Sequence, residues 1–207
     1  AVVRAGELTR RAAARLETEP EAARADLDDA LRLLPTSPDA LFYRGVSGMM
    51  AGDDAPAQAD FSAALMFRPR HLPSLGNRFT VRLRLGDLDG ALADCDAILE
   101  LDPEHDAALY HRARLRSGRQ DWEGAVADLD RFLEIHPESV ESLVLRAAAK
   151  EQTGDVAGAL DDLVRAKPAY TEEKGRRKLE AKLAELRART GEGPASDPDP
   201  DAPESDP

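Results

Sequence analysis

The chain has 207 residues, of which 42% are hydrophobic, 33% charged and only 4% aromatic, and its net charge is −12. That apolar content is enough for a core, and the abundance of alanine and leucine points to closely packed helices with almost no strand. The acidic balance excludes the basic footprint of a nucleic-acid binder and disfavours an anionic membrane surface; the single Cys95 excludes an internal disulfide, and no apolar run approaches the roughly 18 residues that span a bilayer.

In chain order, the elements fall into five two-helix units at an interval of 34 residues. The first, about 4–37, turns through Thr18–Ala22, where Pro20 suits the first turn of a helix. The second, 38–71, turns at Gly52-Asp53. The third, 72–105, is the clearest. Leu75, Phe79, Leu83 and Leu85 form an apolar stripe, Gly86 takes the left-handed conformation that ends a helix, and Asp87 caps the next one. Ala91, Cys95, Ile98 and Leu99 make the apolar face of that second helix, and Pro103 stops it. The fourth, 106–139, has Gln120-Asp121 where the others have Gly-Asp, so its first helix is predicted to end near Gly118. The fifth, 140–170, turns at Gly154-Asp155. A further helix over 171–190, with Thr171 as its cap and Leu179, Leu183 and Leu186 on one face, is expected to cover the apolar side of the last unit. The tail 191–207 is rich in Pro and Asp, has no Lys or Arg, and reads as a disordered, solubilising segment. At full extension its seventeen residues reach about 56–61 Å, enough to compete with an acidic ligand.

Three columns are invariant across the units. Alanine occupies positions 23, 57, 91, 125 and 159, where a small residue lets helix axes approach to the short end of roughly 8–10 Å. Asp26, Asp60, Asp94, Asp128 and Asp162 form a second column, and Arg10, Arg44, Arg78, Arg112 and Arg146 a third. In an antiparallel pair, Arg78 and Asp94 lie level around the turn at Gly86-Asp87. The two columns therefore read as a structural ladder of ion pairs, within units or between them, that specifies register more than it stabilises. Pro35, Pro69, Pro103 and Pro137 close four units.

The interval, the small-residue column, the Gly-Asp turn and the closing proline together resemble the tetratricopeptide repeat (TPR), over about Arg4 to Pro168. The likeness is to the variant with arginine and glycine in the first helix, as in Tyr43–Gly45; Leu41, Leu75, Leu109 and Leu143 replace its usual large aromatic. The resemblance implies an all-α fold, a right-handed α-solenoid of antiparallel helix pairs, whose first helices line a concave groove. It also implies a non-catalytic interaction scaffold that holds a peptide or partner helix. By register the groove residues are Phe42, Val46 and Met49; Gly76, Thr80, Leu83 and Arg84; Tyr110, Arg114 and Ser117; and Val144, Ala148 and Glu151. Phe42, Met49 and Met50 would form an apolar end, and Arg84 and Arg114, with Arg82, Arg116 and Arg119 nearby, a basic middle. A partner with an apolar anchor and a carboxylate suits both. The plainer alternative is that the methionines pack between units and the arginines are solvated. The lysine and asparagine clamp of chaperone-binding relatives is missing, since Phe42, Val46, Gly76 and Thr80 stand in its place.

Nothing points to catalysis or a cofactor. His71, His105, His111 and His136 have no metal-type spacing, and His71 and His105 read as exposed. Cys95 shares the column of Leu27, Phe61, Leu129 and Leu163 and reads as an apolar core residue. Asp28-Asp29 and Asp161-Asp162 read as surface charge on helices. The expected partner is a protein or peptide, with no nucleic acid and no membrane span. The expected location is cytoplasmic, with a processed secreted or periplasmic form left open, and the excess of arginine over lysine suggests a bacterial source. The chain begins with Ala1, so excision from a longer protein, with any catalytic part encoded elsewhere, stays open as a second reading.

Overall fold

The computed structural model describes residues 1–191; the acidic segment 192–207 of the predicted tail lies outside them. Among the described residues the regular structure is helical, without strand: α1 (Val2–Arg15), α2 (Pro20–Leu33), α3 (Pro38–Ala51), α4 (Asp54–Phe67), α5 (Leu72–Leu85), α6 (Leu88–Leu101), α7 (Asp106–Gly118), α8 (Trp122–Ile135), α9 (Val140–Thr153), α10 (Val156–Ala166) and α11 (Glu173–Thr190), with a short 3₁₀ turn at Lys167–Ala169. The chain forms two compact units, Ala1–Arg112 and Ala113 onward. Within the first, each helix packs on its neighbour in sequence from α1 to α6, and α3 also touches α1 and α5. Within the second, α8 packs on α9, α9 on α10 and α10 on α11.

The punctuation explains the helix ends. α2, α4, α6 and α8 each stop two residues before the closing proline. Gly52, Gly86 and Gly154 take φ of 82°, 76° and 88° at the turns. Gln120 does the same with φ of 63°. Although α7 ends at Gly118, the left-handed residue is therefore Gln120, and the Asp121 amide reaches back to the Arg116 carbonyl at 3.0 Å. Asp87, Asp121 and Asp155 cap the helices that follow, each accepting from a glycine amide three residues on: Gly90, Gly124 and Gly158. A Cβ on Gly90 would come within 2.2 Å of the Asp87 carboxylate, so this cap needs glycine. Asp53 faces Pro56 instead, which has no amide hydrogen, and makes no cap bond.

The alanine column is sealed, with Ala23, Ala57, Ala91, Ala125 and Ala159 at 1% exposure or less. Volume is balanced across the turn in the second unit. Gly45 sits against Phe61, whose ring would lie 2.7 Å from a Cβ at Gly45. In the third unit the large residue moves to the first helix, with Phe79 and Cys95 at the equivalent positions. At the C-terminal end, Leu179, Leu183 and Leu186 of α11 bury against Ala147, Ala159, Leu160 and Leu163. The α11 cap residue is Glu172 rather than Thr171, without a side-chain bond.

Candidate functional site

Two candidate sets come from the sequence: the charged ladder and the first-helix surface. The ladder has a repeating geometry. Arg44 donates through Nε and Nη2 to both Asp60 oxygens at 2.8 and 2.7 Å, and through Nη1 to Asp28 at 3.1 Å. Arg78 does the same with Asp94 and Ser62, and Arg146 with Asp162 and Asp130. Arg112 donates to Asp96 at 2.8 Å. Each of these arginines thus reaches the second helix of the preceding unit, and Arg44, Arg78 and Arg146 also tie their own hairpins. The aspartates are buried, with Asp94 and Asp162 at 0% exposure and Asp128 at 2%. Asp162 is therefore an interior group and not the surface charge its Asp161-Asp162 setting suggested.

Arg10 lies outside the ladder and is exposed. Arg11 takes its place, with Nε 2.6 Å from Asp26, and its hydrogen bonds hold the Asp26 carboxyl below the usual carboxylate range. The first turn causes the shift. Thr18 stands where Gly52, Gly86, Gln120 and Gly154 take the left-handed conformation, and it does not adopt it. The Glu19 amide returns to the Arg15 carbonyl, four residues back, whereas the Asp53 amide returns five residues, to Gly48. The register of α1 moves by one.

A second cation joins the ladder. Arg82 reaches Asp94 at 2.8 Å, Arg116 reaches Asp128 at 2.8 Å, Lys150 reaches Asp162 at 3.1 Å and Arg15 approaches Asp26 at 4.0 Å. Two arginines of the expected basic middle, Arg82 and Arg116, are therefore structural. The sequence showed this second column only as scattered arginines, because its members are Arg82, Arg116 and Lys150, with Gly48 in the second unit.

On the first-helix surface of the Ala1–Arg112 unit, Phe42, Val46 and Met49 are half-buried and pack against Ala57, Phe61 and Val81. Phe42 lies 5.0 Å from the His71 ring and 6.1 Å from Phe61. Their neighbour Met50 is 56% exposed. On α5, a Cβ added to Gly76 would meet nothing within 4 Å, so this position opens onto free space. Thr80 donates back to the Gly76 carbonyl, and Leu83 is half-buried. Exposed Arg84 donates to the Met49 carbonyl and to Asp54, both at 3.2 Å. Tyr110 is half-buried beside His111.

In the compact unit from Ala113 onward, Arg114 and Ala148 are exposed and Ser117 is half-buried. Val144 and Glu151 are taken up by the cap rather than left open. Val144 packs on the cluster containing Leu179, Leu183 and Leu186, and Glu151 accepts from Lys182 at 2.8 Å and Arg189 at 2.6 Å. The Lys182 hydrogen bond lowers the Glu151 pKa below the ordinary 4.5. His71 and His105 are half-buried near helix starts, where His71 Nδ1 pairs with Ser74 and His105 Nδ1 accepts from the Ala108 amide. Cys95 is buried at 1%. Among the described residues no group of His, Cys, Asp and Glu could hold a metal ion, and no helix is long and apolar enough to cross a membrane.

Comparison with known proteins matches residues 77–116 and 110–172 to the tetratricopeptide repeat model. Curated proteins give no match. Among solved structures, a tetratricopeptide repeat protein from Parabacteroides merdae is similar at 23% identity, with 91% of this chain and 74% of that one covered and a TM-score of 0.69. YrrB, a TPR protein with an unusual peptide-binding site, is similar at 17% identity, 84% and 90% coverage and a TM-score of 0.73. Naa15/Naa10 bound to HypK is similar at 17% identity and a TM-score of 0.66, over 91% of this chain but only 29% of that one.

Proposed function

We propose that the chain, a helical repeat array whose residues 77–172 match the tetratricopeptide repeat model, is a non-catalytic interaction scaffold that binds a peptide or partner helix on the first-helix surface of its Ala1–Arg112 unit. The observation that carries the reading is the open space over Gly76, beside the half-buried Thr80 and Leu83. An apolar anchor of the partner would rest on the Phe42, Val46 and Met49 side of this surface. A carboxylate would exchange with the contacts of Arg84, an exposed pair that contributes only about 0–1 kcal/mol. YrrB and Naa15 support a partner-binding role at the level of the fold alone. Selection of displayed peptides on the full chain tests it. Peptides so selected should lose at least tenfold in affinity for the Gly76→Trp variant, whose side chain starts from a Cβ position with nothing within 4 Å, at an unchanged melting temperature. Selected peptides that bind wild type and Gly76→Trp equally would remove the surface from consideration.

A further inference from the structure

The second unit lacks one part that its neighbours possess. Asp26, Asp94 and Asp162 each have a second cation near them, from Arg15, Arg82 and Lys150, and Arg116 holds the same repeat position beside Asp128. The equivalent residue in the second unit is Gly48, and among the described residues Arg44 is the cation that reaches Asp60. A pocket of about 270 Å³ opens there, lined by Arg24 and Asp28 of α2, Arg44 and Gly48 of α3, and Pro56 and Asp60 of α4, among others.

Its acceptors match the chemistry of the missing side chain. Arg82 donates both to the Asp94 carboxylate and to the Gly90 carbonyl at 2.9 Å, and Arg116 treats Asp128 and the Gly124 carbonyl in the same way. In the second unit the equivalent acceptors are Asp60 and the Pro56 carbonyl, and both residues line the pocket. Arg24 does not take the place. It donates to Asp53 at 2.9 Å, a contact that Gln58 repeats with Asp87 one unit later, where Arg82 is also present. The local balance is also suitable: the carboxylates of Asp28, Asp53 and Asp60 face the two guanidiniums of Arg24 and Arg44.

We propose that this pocket is a binding site for an alkylguanidinium group, which enters from outside the chain and completes the Asp60 pairing that Arg82 and Arg116 complete internally in later units. A guanidinium is favoured because Arg82 and Arg116 each set Nη1 between the carboxylate and the carbonyl, whereas the ammonium of Lys150, at the same repeat position, is seen on the Asp162 carboxylate. The site is formed between α2, α3 and α4 and does not include Gly76, so it stands or falls independently of the peptide surface.

The test titrates the full chain with agmatine, with the tripeptide Gly-Arg-Gly and with its citrulline counterpart, followed by calorimetry and by the melting temperature. Binding should be saturable for the guanidinium probes and at least tenfold weaker for citrulline, which keeps the shape and loses the charge. Gly48→Arg should abolish binding and raise the melting temperature, since a Cβ at Gly48 meets only ordinary contacts at 3.4 Å and beyond. Gly48→Gln, which fills the space without charge, should abolish binding with a smaller rise, the share that any residue gains over glycine inside a helix. Tighter binding of the tripeptide than of agmatine assigns the site to a partner's arginine, and the reverse assigns it to a free small molecule. No saturable binding of either guanidinium probe, or equal binding of citrulline, overturns the proposal, as does undiminished binding by a folded Gly48→Arg variant.

Discussion

Asp53, Asp87, Asp121 and Asp155 occupy one repeat position, yet three of them cap a helix and Asp53 does not. The difference lies three residues on, where Gly90, Gly124 and Gly158 offer an amide hydrogen and Pro56 has none. Asp53 turns instead to Arg24, an exposed pair. Asp87→Ala should therefore cost about 1 kcal/mol, the usual worth of such a cap. Asp53→Ala should change stability by no more than about 0.5 kcal/mol, as surface substitutions do. Urea unfolding of the two variants distinguishes these outcomes, and equal losses would contradict the assignment. The Gly-Asp turns were legible in the sequence because both residue types have local, specific backbone roles. The one-residue shift from Arg10 to Arg11 was not, because it depends on how a turn without a left-handed residue closes.

At the scale of the element, α11 closes the second compact unit through an apolar face and an ionic latch. The face was readable from the spacing of Leu179, Leu183 and Leu186; the latch was not, since Glu151 is 31 residues from Lys182 and 38 from Arg189. Glu151 had looked like a groove residue because its register is that of Met49 and Leu83, and only the position of α11 reassigns it. The latch depends on pH. Glu151 has its pKa lowered in the folded state, so its contribution is present above the ordinary 4.5 and is lost as the pH falls through the lowered value. Lys182 has its pKa raised, chiefly by the hydrogen bond to Glu151, so its share is present below the ordinary 10.5 and is lost as the pH rises through the raised value. Limited proteolysis should therefore release α11 more readily below pH 4.5, and Glu151→Gln should show the faster release already at neutral pH. A release rate that does not differ between Glu151→Gln and wild type at neutral pH would remove the latch.

Across the whole molecule, contacts within each compact unit join helices close in sequence, the pattern that makes the stability of a repeat array a sum of local terms. Disturbance should then stay local. Ala125→Leu forces a larger side chain into a fully buried contact and should cost about 1–3 kcal/mol. Hydrogen exchange should show the loss in α8 to α10 while α1 to α4 keep their protection, and an even loss along the chain would contradict it. The fold was legible because length, columns and punctuation all repeat. The groove was less so, since a periodic pattern places residues on a helix face but does not show which faces a neighbour will cover. Cys95 is the only thiol, sealed inside the third hairpin. Its rate of reaction with a thiol reagent therefore counts the openings of that hairpin directly, so the native chain carries its own clock for breathing at one known place.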